Sequence, residues 1–325
     1  MISHRLYHLL VCAIATDQFL LLVSNHQLGV SGLQIQFRGQ STTSEENDEE
    51  ESRNGNQNDG VHPGLRDATI SGFDGIPTIS EGPRRNHIVE TFFADTTCAT
   101  RNSNSTTASE LLIQDVKESA NGIYDFLVHS RRFLHKHPEL MFKEDITSAY
   151  VQKVLKDLDI KFTKGWAVNT NPDVIDGAGG YGVVADIGTG QPPCVLLRAD
   201  MDALPIFERT EGVDDFKSRD DGKMHACGHD GHTTMLLGAA SLLKSMEDSI
   251  NGTVRLMFQP AEEGGAGGKR MREEGVLTMH PAVQHAFGQH LWPTIPSGTI
   301  ASRAGPLLAA YERFEILVSG VGGHA

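Results

Sequence analysis

The sequence lacks the features that mark several large classes of protein. It contains four cysteines, too few for a disulfide scaffold, and its 34 glycines follow no triplet period, which excludes collagen. No run of about 18 apolar residues appears, so a membrane-spanning helix is not expected. Positive charge is in the minority: the formal net charge is −14, which argues against nucleic acid and anionic membranes as partners.

Two segments precede the part of the chain that has the periodicity of a folded domain. Residues 38–109 are rich in Asn, Ser, Thr, Gly and Glu, and include an acidic run within 45–51. This stretch has too little apolar surface to offset its ordering entropy, so we predict a disordered linker. In residues 1–37, an apolar run ending in Ala13-Ile14-Ala15 predicts a leader for the secretory pathway or an organelle. The alternative is an unprocessed N-terminus on a cytoplasmic protein.

Residues 110–308 contain helical and strand-like periodicities in mixed order. The sequence predicts helices at 110–135, 145–158, 233–246 and 269–274, and strands at 182–187, 194–199, 253–258 and 282–289. Helices interspersed with apolar strands predict an α/β fold, a layered domain whose central sheet is flanked by helices. The apolar alternation of Phe314, Ile316 and Val318 predicts the first strand of a small α+β lid domain in residues 309–325.

Chemically active side chains are concentrated in four segments at or after the ends of predicted strands, where open α/β sheets bind ligands. The segments are residues 200–202, 225–230, 262–265 and 289–292. Cys227 and His229 form an i, i+2 pair, which extended backbone would direct to one side. A thiolate with an imidazole suits a borderline metal such as zinc, manganese or cobalt.

The remaining acids and histidines of these segments suggest a larger site. Neighbouring residues in extended backbone face opposite ways, so one acid of the Glu262-Glu263 doublet can bind an ion while the other faces water and substrate. His290 is a reasonable additional ligand, because the site needs another neutral donor. Asp202 is expected to orient a ligand imidazole.

Three further polar residues are expected to support the site or to pack beside it. Asp200 follows a predicted strand that contains Arg198, and an ion pair between these two is the simplest interpretation of that acid. His225 and His232 are expected to be supporting or packing residues rather than metal ligands.

Taken together and in this order, the motifs resemble the M20 metallopeptidase family. They are RRFLHKHPEL at 131–140, LRADMDALP at 197–205, HACGHDGH at 225–232, FQPAEEG at 258–264 and GGHA at 322–325. More narrowly, the sequence resembles the amidohydrolase branch that contains indole-3-acetyl-amino-acid hydrolases, hippurate hydrolases and N-acyl amino acid amidohydrolases. The joint occurrence is highly specific, although each segment alone is not.

The resemblance implies a site with two divalent metal ions, manganese or zinc. It implies that Cys227, His229, Glu263 and His290 are metal ligands, that Glu262 is the general base, that Asp202 supports a metal ligand, and that His324 of the lid domain stabilises the oxyanion. Residues 110–308 would then be the catalytic domain, and a complete lid domain would form a homodimer.

The expected function is metal-dependent hydrolysis of the amide bond of N-acyl amino acids, with auxin–amino acid conjugates among the candidate substrates. Two alternatives stay open. One is a carboxypeptidase or dipeptidase of the same family. The other is an inactive metal-binding protein, because family members continue beyond the position of Ala325 through the lid to a last metal-binding histidine, so that we expect the chain to be truncated.

Overall fold

The computed structural model of the protein describes residues 20–22 and 108–308. In this part the helices are α1 (Ala108–Gly122), α2 (Tyr124–Lys136), α3 (Asp145–Asp157), α4 (His229–Ser245) and α5 (Gly267–Glu273), with a 3₁₀ turn at Glu247–Ser249. The strands are β1 (Leu20–Leu22), β2 (Phe162–Val168), β3 (Gly179–Gly188), β4 (Cys194–Asp200), β5 (Thr253–Gln259) and β6 (Val283–His290). His324, the predicted lid strand, the linker and the leader apart from β1 lie outside the described residues.

The contacts divide the chain into two units. The first comprises residues 1–22 and 60–302 and contains all the helices and strands given above. The second comprises residues 23–59 and 303–325, of which the structure describes 303–308, a stretch without helix or strand. Within the described ranges, no helix combines the length and the hydrophobicity needed to cross a bilayer.

The strands form one mixed sheet in the order β1-β6-β4-β5-β3-β2. Strand β4 pairs in parallel with both β5 and β6, whereas the β1–β6, β3–β5 and β2–β3 pairs are antiparallel. The carboxyl ends of β4, β5 and β6 therefore lie at the same edge of the sheet. Loops that leave these three ends are brought together there, as in other open α/β sheets.

Alternate residues of the strands pack into cores on the two faces of the sheet. Val183, Ala185 and Ile187 of β3 join a core that includes residues of α2, α3 and α4, while Val184 joins a second core with Met271 of α5. Because successive strand residues point to opposite faces, helices cover both sides of the sheet. The predicted layered α/β fold is confirmed.

Helix α4 is the most deeply buried helix of the described region, with buried residues in an almost unbroken run from His229 to Leu243. It begins four residues before the predicted start at Thr233, directly after Gly228, whose φ of 87° is left-handed. The early start places His229 in the first turn of the helix, at the sheet edge where β4 ends.

One prediction of secondary structure was wrong, and one strand was not predicted. The predicted helix 110–135 is interrupted at Ile123, whose φ of −107° and ψ of 15° are not helical, directly after the weak helix former Gly122. Strand β2 was not predicted, because Gly165 and Ala167 have positive φ values and the ladder with β3 shifts register beside them. Those irregularities break the alternation that reveals a strand in sequence.

Candidate metal centre

The four predicted segments converge at the carboxyl edge of the sheet. Cys227 precedes α4, His229 begins it, Glu262 and Glu263 follow β5, and His290 ends β6. Three groups of side chains have all their ligand atoms within 4.8 Å of one another: Cys227 with His229 and His290, His229 with both glutamates, and His229 with Asp200 and His232. His229 belongs to all three groups, so the predicted ligands form one continuous cluster.

Individual distances show how closely the donors approach. The Sγ atom of Cys227 lies 3.3 Å from Nε2 of His290. The Nε2 atom of His229 lies 3.9 Å from Oε2 of Glu262 and 3.9 Å from Oε1 of Glu263. Donors at these separations surround a space suited to a cation that takes sulfur, nitrogen and oxygen ligands.

Unpaired buried atoms within the cluster support this fit. Among the described residues, Nε2 of His229 and Oε1 of Glu263 are buried without a hydrogen-bond partner. The Nδ1 atom of His229 is 2.8 Å from the carbonyl oxygen of Asp202, to which it donates, so Nε2 is the atom left for a proton or a cation. Buried polar atoms without partners are costly, and metal coordination would satisfy both of them.

Asp202 holds the glutamate doublet as well as the histidine. Its Oδ1 and Oδ2 atoms each accept a hydrogen bond of 2.9 Å, from the backbone N–H groups of Glu262 and Glu263. Its Oδ1 also lies 3.4 Å from Nδ1 of His229. The sequence led us to expect only the contact with an imidazole. In the structure this one buried aspartate links two of the predicted ligands.

Asp200 supports the opposite side of the cluster. It pairs with Nη1 of Arg198 at 2.6 Å, as the sequence suggested, and also accepts a 2.6 Å hydrogen bond from Nδ1 of His232. The Nε2 atom of His232 accepts the N–H of Leu291 at 2.8 Å, and the carbonyl oxygen of Leu291 accepts from Nδ1 of His290 at 2.7 Å. This chain of hydrogen bonds directs Nε2 of His290 towards Cys227.

The local backbone differs from the extended conformation assumed for the two residue pairs. Gly228 is left-handed, so Cys227 and His229 converge around a turn rather than along a strand. Ala261 is also left-handed, with φ of 55°, and both glutamates that follow it reach the same imidazole instead of facing opposite ways. Their exposure still differs, because the side chain of Glu262 is 42% exposed and that of Glu263 22%.

The electrostatics of the cluster shift its groups in different directions: towards the ionised form for Cys227 and His229, and towards the neutral form for Glu262. The neighbouring imidazoles of His229 and His290 lower the pKa of the Cys227 thiol. Burial lowers the pKa of His229, but interactions with Asp202, Cys227 and Asp200 outweigh it and raise that pKa to about 11. Burial, followed by the charge of Asp200, raises the pKa of Glu262. A thiolate beside a cationic imidazole is a pair whose proton a metal ion can displace.

Two glutamates that contact the site loops, the buried Glu144 and the partly buried Glu139, were not predicted from the sequence. Glu144 accepts the backbone N–H of Ala261 at 2.8 Å, and the carbonyl of Glu139 accepts that of Ala203 at 2.7 Å. The available signal was an acid beside an apolar run, since Glu144 closely follows Leu140, Met141 and Phe142. Such a pattern also describes ordinary amphipathic surface, so it did not single out these residues.

Comparison with known proteins identifies the segment that carries the cluster. Residues 196–320 match the family described as Peptidase family M20/M25/M40. The part of the chain that is similar to family M20 is thus the part that carries the cluster. The expected resemblance is therefore confirmed, and within the described residues the family segment includes each predicted metal ligand.

Among the relatives, "IAA-amino acid hydrolase ILR1-like 2" of Arabidopsis thaliana is 48% identical over 203 residues, which are 62% of this chain and 42% of that protein. "Thermostable carboxypeptidase 1" of Saccharolobus solfataricus is 43% identical, over 66% of this chain and 51% of that protein. "N-acetylcysteine deacetylase" of Bacillus subtilis is 43% identical, over 61% of this chain and 48% of that protein. The chain spans about half the length of these curated relatives.

One solved structure that resembles this chain is described as Bacillus subtilis YXEP protein, "a Dinuclear Metal Binding Peptidase from M20 Family". It is 39% identical, with a TM-score of 0.46, over 54% of this chain and 45% of that chain.

Proposed function

We propose that the protein is a metal-dependent amidohydrolase that cleaves the amide bond of N-acyl amino acids. The observation that carries this proposal is the shared position of His229 between two groups of donors, one with a thiolate and one with two carboxylates. A peptidase or amidohydrolase role agrees with the M20 segment and with the names of the relatives.

The candidate ligands for two divalent ions are Cys227, His229, Glu263 and His290, and neither manganese nor zinc is favoured by the donor set alone. When bound, such ions would lower the pKa of a water molecule and polarise the substrate carbonyl. His324, which lies outside the described residues, remains a predicted oxyanion-stabilising residue, and dimerisation through a lid domain and passage through the secretory pathway also remain predictions.

Glu262 has the environment expected of a general base. Its side chain reaches solvent, whereas Glu263 is turned inward, and its raised pKa brings it closer to the pH at which proton transfer is efficient. In the proposed reaction Glu262 takes a proton from water as the water oxygen bonds to the carbonyl carbon. It returns the proton to the nitrogen of the leaving amino acid as the carbon–nitrogen bond breaks.

The direct test uses the full chain loaded with manganese or zinc and assayed with N-acetyl and indole-3-acetyl amino acids. Glu262→Gln should lower kcat about 10²- to 10⁴-fold, because general-base catalysis contributes that much. Glu273→Gln is the matched control, since Glu273 is a similarly exposed glutamate on α5 that pairs with Lys269. Equal turnover by Glu262→Gln and the unmodified chain would contradict the assigned base.

A carboxypeptidase activity is the second candidate, because relatives of Saccharolobus solfataricus that are 43% and 44% identical have that name. The two candidates predict different substrate preferences, so peptides with a free C-terminus belong in the same panel as the acyl amino acids. Faster turnover of the peptides would favour the carboxypeptidase. Metal binding without turnover of either class would favour the inactive metal-binding protein.

A further inference from the structure

The loop that carries the glutamate doublet is held by three successive backbone N–H groups. Those of Glu262 and Glu263 donate to the carboxylate of Asp202, as described above, and that of Ala261 donates to Oε1 of Glu144 at 2.8 Å. Asp202 belongs to a segment with obvious chemistry, but Glu144 lies 117 residues from its partner in sequence. Two buried acids from distant parts of the chain therefore fix one short turn.

Glu144 holds two strained residues with the same oxygen atom. Its Oε1 also accepts the N–H of Phe142 at 3.0 Å. Phe142 and Ala261 have φ values of 60° and 55°, a left-handed conformation that side chains other than glycine seldom adopt. Such conformations persist where the surroundings enforce them. Glu144 is fully buried, so its geometry is set by packing on all sides.

The segment that contains Glu144 also contacts the loop that contains Asp202. The carbonyl of Glu139 accepts the N–H of Ala203, and Leu140 forms an isolated parallel bridge with Ala203. The entry to α3 thus contacts both loops that carry the acids of the cluster. A displacement of Glu144 would be transmitted to the glutamate doublet through Ala261.

We propose that Glu144 is a positioning residue that fixes the turn at Ala261 and thereby places the carboxylates of Glu262 and Glu263 for metal binding and proton transfer. The effect on metal binding rests on the proposed function, whereas the effect of Glu144 on the conformation of the turn at Ala261 does not. Residues that orient a metal ligand typically change metal affinity 10- to 100-fold when they are replaced.

The protonation state of Glu144 indicates which substitutions test its role as a hydrogen-bond acceptor for the turn. Burial, and then the charge of Asp202, raises the pKa of Glu144 to about 8, so the side chain is largely neutral at pH 7. Its Oε2 atom has no hydrogen-bond partner among the described groups. Glutamine keeps an acceptor in place of Oε1 and resembles the neutral acid, whereas methionine has a similar volume without that acceptor.

Hydrogen exchange of the metal-free full chain tests the hold on the turn. Glu144→Met should speed exchange of the amide hydrogens of residues 261–263 at least tenfold, and Glu144→Gln should leave it within about threefold of the unmodified chain. Ser130→Ala is the matched control. Ser130 is a buried residue of α2 whose hydroxyl donates to the carbonyl oxygen of Phe126 and accepts from Tyr150 of α3, and it is remote in sequence from the doublet. Unchanged exchange in Glu144→Met would overturn the proposal.

Calorimetric titration of the same variants with Zn²⁺ tests the consequence for the site. Glu144→Met should weaken binding 10- to 100-fold, with Glu144→Gln and Ser130→Ala within threefold of the unmodified chain. In a Glu263→Gln background the effect of Glu144→Met should largely disappear, because coupled residues are not additive. Full additivity, or unchanged affinity in Glu144→Met, would overturn the positioning role.

The experiments also allow for a variant that does not fold and for a chain that does not bind Zn²⁺. If Glu144→Met does not fold, Glu144→Asp replaces it in both experiments, because the shorter side chain cannot keep both acceptor contacts. The results expected for Glu144→Met then apply to Glu144→Asp. If the unmodified chain binds no Zn²⁺, the proposed function fails while the exchange result still decides whether Glu144 holds the turn.

Discussion

Two buried histidines, one on each side of the Cys227–His229 pair, differ in their hydrogen-bond partners. We expect this difference to determine how much each histidine contributes to stability. His232 uses both ring nitrogens, donating to Asp200 and accepting from the backbone of Leu291. Neither ring nitrogen of His225 has a hydrogen-bond partner among the described residues. Burial lowers the pKa of His225 to about 4, so it is neutral as well as unpaired. The sequence predicted a supporting or packing role for both and could not separate them.

Replacing each histidine by leucine should therefore have different effects on stability. His232→Leu removes the hydrogen-bond partners of Oδ1 of the buried Asp200, whose Oδ2 still pairs with Arg198, and of the N–H of Leu291. This should lower the free energy of unfolding by about 1–3 kcal/mol. His225→Leu removes only polar atoms that have no partner. It should lower the free energy of unfolding by less than about 1 kcal/mol, or raise it. Urea denaturation of the metal-free chain measures both. An equal loss in the two variants would show that His225 has a partner, such as buried water.

At the scale of elements, the approach of β5 to α5 depends on one glycine. The Cβ atom of an alanine at Gly267 would lie 1.8 Å from the carbonyl oxygen of Pro260, closer than any real contact. At the neighbouring Gly268 the nearest atom is Oε1 of Gln259, at 3.0 Å, a side-chain atom that would need to shift by only a few tenths of an ångström. These two glycines at the start of α5 thus differ sharply in their tolerance of a side chain.

Gly267→Ala should displace the loop between β5 and α5, because the clash is with backbone. We expect a loss of at least about 2 kcal/mol in the free energy of unfolding, in the range of overpacked sites, together with weaker Zn²⁺ binding by the Glu262–Glu263 loop. Gly268→Ala is the matched control and should cost less than about 1 kcal/mol. Urea denaturation measures the free energy of unfolding, and calorimetric titration measures Zn²⁺ binding. Similar losses in both variants would contradict the role of close approach at Gly267.

The elements that sequence predicts well are those whose pattern is local. Strand β5 is buried along its whole length and α4 along most of its length, so their apolar runs were visible in the sequence. Strand β2 was missed because the register shifts in its ladder with β3 interrupt the alternation of buried and exposed residues. The candidate ligands were found because their residue types are unusual together, whereas Glu144 acquires its partner only when α3 packs beside the loop after β5. Long-range contacts of that kind leave no periodic trace in the sequence.

At the scale of the whole molecule, metal binding and folding should be linked. The donors come from the loop before α4, its first residue, the loop after β5 and the end of β6, so a cation would connect segments that are separate in the unfolded chain. Any ligand that binds the folded chain alone stabilises it by mass action, by about 2.7 kcal/mol at a concentration 100 times Kd. The chain should therefore unfold at a higher temperature when metal is present.

Saturating Zn²⁺ or Mn²⁺ should raise Tm by roughly 5–10 °C at pH 7.5, and a chelator should reverse the shift. Cys227→Ser and Glu263→Gln should lose most of it, and Glu273→Gln should keep it. The cation must displace the proton of His229, whose pKa is raised to about 11, so affinity should increase as the pH rises and the shift should shrink towards pH 6. Mg²⁺ should have a weaker effect, since it prefers oxygen ligands to thiolate and imidazole. Differential scanning calorimetry would count against the site if Mg²⁺ matched Zn²⁺ or if Cys227→Ser retained the full shift.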